Sequence, residues 1–64
     1  MSTRPTCKSI ERKAAAIAKQ TSEEIFYCWD QSEGQYVYLT RGRYLECFWI
    51  HPEDVLYSTI EGWY

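Results

Sequence analysis

The chain reads as an α+β domain: an N-terminal α-helix packed on a three-stranded antiparallel β-meander, with a short C-terminal helical turn or extended tail. Three observations predict this. Apolar residues recur with a helical period up to about residue 20, and alternate with a period of two after residue 24. The links between the strand-like runs are short and contain glycine, which favours hairpins over crossovers. Charge and aromaticity divide at the same boundary. Residues 1–20 carry Arg4, Lys8, Arg12, Lys13 and Lys19 against Glu11, a net +4. Residues 21–64 carry two arginines against eight acids, a net −6, and hold every Trp, Tyr and Phe.

The elements follow in order. Residues 1–5 are expected to be a flexible lead and 6–20 a basic helix. Pro5 suits a helix start, and Thr6 or Ser9 offers a hydroxyl cap. The stretch Lys13-Ala-Ala-Ala-Ile-Ala-Lys-Gln20 is made of strong helix formers. Cys7, Ile10, Ala14, Ile17 and Ala18 share one side at about 100° per residue, and Lys8, Arg12 and Lys19 the other. The apolar stripe is small, so the helix is able to lie close on a sheet. Thr21 and Ser22, whose hydroxyls compete for backbone bonds, should end it.

Residues 24–50 are read as the meander. Glu24-Ile-Phe-Tyr-Cys-Trp-Asp30, Tyr36-Val-Tyr-Leu-Thr40 and Arg43-Tyr-Leu-Glu-Cys-Phe-Trp-Ile50 have strand composition. Gln31–Gln35 and Arg41-Gly42 separate them as turns. A two-residue or a bulged three-residue turn at each link sets which faces pair. The expected assignment puts Ile25, Tyr27, Trp29, Val37, Leu39, Phe48 and Ile50 under the helix. The opposite face then shows Phe26, Tyr36, Tyr38, Leu45, Cys47 and Trp49. Both faces are apolar, and one small helix covers only one. Residues 51–64 are a candidate second cover: Pro52-Glu53-Asp54 resembles a first helical turn, Val55–Ile60 is β-forming, and Trp63 and Tyr64 should dock.

Composition bounds the function. Sixty-four residues make a single domain, 1–64, that is marginal alone and open to support from association. Hydrophobic residues at 45% and charged residues at 25% argue against disorder. The net charge of −2 argues against a general coat for nucleic acid. No apolar run approaches the roughly 20 residues of a membrane span, and no apolar core of a secretory signal follows Met1. A cytoplasmic protein with reduced thiols is the expectation. Cys7, Cys28 and Cys47 are an odd set, and with His51 they lack the paired spacing of a zinc knuckle, so no metal and no cofactor is expected. Cys47 and His51 are conceivable as nucleophile and base, but no elbow, oxyanion hole or phosphate loop accompanies them. The reading is non-enzymatic.

Binding remains. The leading expectation is a stoichiometric inhibitor or adaptor, of the size and composition that phages and mobile elements use, covering a functional surface of a larger host or defence protein. Its acids would meet a basic surface such as that of a nucleic-acid-processing enzyme. Tyr36, Tyr38 and Trp49 are the expected anchors, with Glu33, Glu46, Arg41 and Arg43 at the rim. Two apolar sheet faces also predict a homodimer or tight heterocomplex. The alternative is a nucleic-acid-binding regulator that uses Lys8, Arg12 and Lys19.

Overall fold

The computed structural model describes residues 7–64. Its elements are α1 (Lys8–Thr21), β1 (Ile25–Asp30), β2 (Gln35–Thr40), α2 (Arg41–Glu46), a 3-10 turn at Pro52–Asp54, β3 (Val55–Ser58) and β4 (Gly62–Trp63). The strands form one antiparallel sheet in the order β2-β1-β3-β4. The α+β class and the helix-on-sheet packing therefore hold, with four strands in place of three.

The helix follows its composition. Ala14 is fully buried, and Cys7, Ile10, Ile17 and Ala18 are half-buried on the same side. With only a methyl group at Ala14, the α1 backbone approaches the sheet closely. Lys8, Arg12 and Lys19 are exposed. At the start, Cys7 is the N-cap and makes no side-chain cap bond. Ser9 lies inside the first turn, where its hydroxyl is 3.1 Å from the Cys7 thiol, so it does not cap. Thr6 and the expected flexible lead fall outside the described residues. Ser22 ends the helix in the left-handed region at φ 58°, donating its N–H to the Ala18 carbonyl at 2.7 Å.

β1 lies second in the sheet, with neighbours on both edges and layers on both faces, which explains its almost unbroken run of apolar side chains. Its link to β2 is the four-residue loop Gln31–Gly34, with Asp30 opposite Gln35. Gly34 takes φ 66° there, which costs a glycine little. This loop length corrects the expected pairing of faces. Ile25, Tyr27 and Trp29 lie under α1 as expected, but their partners are Thr40, Tyr38 and Tyr36. Val37 and Leu39 pair with Cys28 and Phe26 on the other face.

The expected third strand, Arg43–Ile50, is also corrected. Residues 41–46 form α2, and an irregular segment follows. Thr40 caps this helix through Oγ1, which accepts the Arg43 N–H at 3.2 Å. The Glu24 carbonyl accepts from Arg41 N–H at 2.9 Å, and Glu23 Oε1 from Gly42 N–H at 3.3 Å. With three of its first amides satisfied, a helix forms where side-chain preference alone favours a strand. The place beside β1 is taken by β3, which pairs Tyr27 with Tyr57 and Cys28 with Val55, leaving Leu56 as a bulge.

The second face is thus covered from residues 41–54. Cys28, Cys47, Ile50 and Val55 are buried together, with Phe26, Val37, Leu39 and Tyr44 packed around them. The C-terminal segment does the rest as a 3-10 turn and a hairpin. Gly62, at φ 87°, opens the last strand, and the Trp63 indole docks on α1, its Nε1–H donating to Glu11 Oε2 at 2.7 Å.

Two substitutions check this packing. Ile25→Ala, at a fully buried position, should cost about 2–5 kcal/mol in urea unfolding. Trp63→Phe keeps an aromatic ring, smaller than the indole, and removes the donor to Glu11, and should cost at least about 1–3 kcal/mol. An unchanged midpoint in the second variant would mean that the bond does not hold β4 to α1.

Candidate functional site

The two faces of the sheet present different chemistry. Under α1 runs a ladder of aromatic rings. Trp29 and Tyr36 meet at 4.8 Å, Tyr27 and Tyr36 stack at 5.4 Å, Tyr27 and Tyr38 lie 4.9 Å apart, and Tyr57 meets Trp63 at 4.8 Å. Lys13 places its ammonium 5.1 Å from the centre of the Tyr38 ring, within cation–π range. Burial raises the phenol pKa of Tyr27 and of Tyr38, because the ionised ring loses solvation. α1 covers the middle of the ladder and leaves Tyr36 54% exposed.

The α2 side is more open. A groove of about 390 Å³ with mixed apolar and charged lining lies between α2 and the β3–β4 hairpin. Phe26 and Tyr44, whose rings are 4.8 Å apart, line it, with Leu45, Ile60 and Tyr64 at its lips. Leu45 and Ile60 are each 70% exposed. Glu24, Arg41 and Glu61 supply its charged edge. Glu24 and Arg41 approach to 3.9 Å, and Ser58 donates its hydroxyl to Glu24.

A second apolar patch lies toward the other end of β1. Phe48 and Trp49 meet edge to face at 5.3 Å. Trp49 is oriented by a long bond of 3.5 Å from Nε1–H to Asp30 Oδ2. Asp30 is itself buried, and its Oδ1 accepts from the N–H groups of Ser32 and Glu33 at 2.9 and 3.2 Å. One carboxylate thereby fixes both the β1–β2 loop and the indole.

The expected anchor set is therefore divided. Tyr36 and Tyr38 share the α1 face, whereas Trp49 lies in the opposite layer, because residues 47–50 are not a strand. Of the rim residues, Glu33 is in the β1–β2 loop. Arg41, Arg43 and Glu46 are on α2, with Arg43 and Glu46 paired at 3.2 Å. Lys8, Arg12 and Lys19 line the outer side of α1, Lys8 lying 3.7 Å from Glu11. Sequence reasoning placed Leu45 on the open face without counting it among the anchors, put Phe48 under the helix, and passed over Ile60 and Tyr64 as binding residues. The available signal was Thr40, a hydroxyl three residues before the amide that it caps.

Cys47 and His51 do not form a reactive pair in this geometry. Cys47 is buried in the core cluster, and His51 is exposed ahead of the 3-10 turn. Among the described residues, no group of three or more His, Cys, Asp or Glu side chains gathers to hold a metal ion. Burial pushes the Cys28 thiol up to about 12, with Cys47, Asp54 and Asp30 adding to the effect. Cys7 moves the opposite way, lowered first by its bond with the Ser9 hydroxyl and then by the Ile10 amide. No family model, curated protein or solved structure matches the chain.

Thiol chemistry tests this description. In the folded protein Cys7 should react with iodoacetamide well before Cys28 and Cys47, followed by peptide mass analysis. The Cys28 thiol also links stability to pH. Its folded pKa lies above the unfolded value of 9.0, so its contribution is complete below pH 9 and is lost as pH rises toward 12. The melting temperature should fall over that interval. The raised phenols of Tyr27, Tyr38 and Tyr44 act in the same direction from about pH 10 upward.

Proposed function

We propose that this chain is a small non-enzymatic protein-binding module. It acts as a stoichiometric inhibitor or adaptor that covers a functional surface of a larger protein. One observation carries the reading: five large apolar side chains, Leu45, Phe48, Trp49, Ile60 and Tyr64, are exposed in the layer built from residues 41–64. Three of them ring an open groove. A chain this small has little apolar surface to leave in water, and contiguous exposed patches mark interaction sites. The partner that suits this layer offers an apolar projection for the groove, surrounded by basic residues. Glu23, Glu46, Glu53 and Glu61 are exposed on or beside this layer, and a basic surround would meet them. A nucleic-acid-processing enzyme of host or defence origin would supply such a basic surround. The likeness to small phage and mobile-element proteins is an analogy of size and composition.

The expected anchors shift accordingly. Trp49 stays in the binding set, joined by Leu45, Ile60 and Tyr64, while Tyr36 and Tyr38 belong to the other face. A second reading, a nucleic-acid-binding regulator, rests on the exposed stripe of Lys8, Arg12 and Lys19 on α1. Three phosphate contacts are few, and such binding would weaken steeply with salt.

The test uses a partner captured with the wild-type chain and then purified. Leu45→Asp combined with Ile60→Asp should weaken binding by about 2 kcal/mol or more at unchanged far-UV dichroism. Trp49→Ala should weaken it as well. Replacing Lys8, Arg12 and Lys19 together by Ala should leave it nearly intact. If the triple change abolishes activity and the groove changes do not, α1 is the working surface and the module reading fails.

A further inference from the structure

The two edges of the sheet are unequal. β4 is two residues long, too short to template another strand. β2 is six residues long and, among the described residues, has a strand neighbour on one side only. It pairs with β1 along its whole length without a slip. Its sequence, Gln-Tyr-Val-Tyr-Leu-Thr, holds no charge and no proline. Natural edges are usually blunted by lysine, proline, a bulge or short length, and β2 has none of these.

The direction of its backbone groups follows from two bonds. Arg41 N–H donates to the Glu24 carbonyl, and Thr59 N–H to the Ile25 carbonyl. Amide direction alternates along an antiparallel strand. Glu24, Phe26, Cys28 and Asp30 therefore address β2, and Ile25, Tyr27 and Trp29 address β3. Across the ladder, Val37 and Leu39 meet β1, while the N–H and C=O groups of Tyr36 and Tyr38 point away from the sheet.

We propose that β2 is a self-pairing edge, through which two copies of this chain join their sheets antiparallel about a two-fold axis. The charges that flank the strand select a second copy. Glu33, before β2, and Arg41 and Arg43, after it, are exposed. Antiparallel pairing brings Glu33 of each copy to the strand end from which the other copy's arginines project, twice by symmetry. The outward groups of Tyr36 and Tyr38 must face their equals, so the axis passes through Tyr38 or Val37. Both registers put Glu33 opposite an arginine. The half-exposed Tyr36 ring is then covered at the junction. Strands lie about 4.8 Å apart, so two α1 helices centred over their β1 strands are about 14 Å apart and do not collide. The Lys13 ammonium groups near Tyr38 repel one another across the axis, which keeps the association weak. Apart from Arg41, which also edges the groove and lies 3.9 Å from Glu24, the groove is not used, so self-pairing is separable from the binding function proposed above.

Sedimentation equilibrium from about 10 µM to about 1 mM decides it. The wild-type chain should show a reversible monomer–dimer equilibrium. A synthetic chain with an N-methyl group on the Tyr38 amide loses an outward donor and should be monomeric at the same far-UV dichroism. Tyr36→Lys, which charges the edge, should weaken association at least about tenfold, and it decides the matter if the N-methyl chain fails to fold. Leu45→Asp, in the groove, should leave the dimer unchanged. A wild-type chain that is monomeric throughout overturns the proposal. So does a dimer that survives in the folded edge variants, or one that Leu45→Asp dissolves while they do not.

Discussion

Much of this fold hangs on Glu24, an acid just before the central strand. Its carbonyl accepts the Arg41 amide and so extends the β1–β2 ladder to the first residue of α2. Its side chain, only 9% exposed, accepts the Ser58 hydroxyl and lies 3.9 Å from Arg41. Ser58 is fully buried, and its oxygen also accepts the amides of Ile60 and Glu61 at 3.1 and 3.2 Å, which shapes the β3–β4 turn. A buried carboxylate is costly unless it is both paired and hydrogen-bonded, and here it is both. One residue therefore fixes where α2 begins, where β3 ends and how wide the groove between them is.

The central strand imposes the second constraint. β1 has a neighbour on each edge and a layer on each face, so its residues have no freedom to slip. The four-residue loop after Asp30 then assigns every β2 side chain to a face. The result is a division of materials: a ladder of aromatic rings under the small-residue helix, and thiols and aliphatic side chains, with Phe26 and Tyr44 beside them, under α2. Flat rings form a thin layer that a helix with only Ala14 fully buried is able to cover. The second layer is more irregular, and its cover is made of loop and short helix, so several large side chains are left in water.

The helix, its apolar stripe, its end at Ser22, the first two strands and the turn after Pro52 were legible in the sequence. Each depends on local chemistry: helix formers in series, a hydroxyl stop, β-branched and aromatic runs, a proline before two acids. Residues 41–50 were not legible as a helix and loop. Tyr44, Leu45, Phe48, Trp49 and Ile50 have strand character locally, and what overrides it is distant. Glu23 and Glu24 satisfy the amides of α2, and Val55–Ser58 takes the sheet position that residues 43–50 were expected to fill. The face assignment depended on one residue more or less in a turn, which pattern alone does not measure. The candidate site suffered most, because its lips come from α2 and the β3–β4 turn, the pieces fixed by those long-range contacts. Trp49 was legible as a surface aromatic, but its layer was not.

The bond from the Trp63 indole to Glu11 joins residues 52 apart in sequence, within a chain of 64. β1 likewise gains its second neighbour only from residues 55–58. The first fifty residues by themselves hold two helices and a hairpin with both edges uncovered, and no lock between α1 and β4. Closure of such distant contacts is slow to nucleate and comes late. The central strand therefore keeps one edge open until residues 55–58 join it, and that open edge is the part of the fold most exposed to wrong pairing on the way.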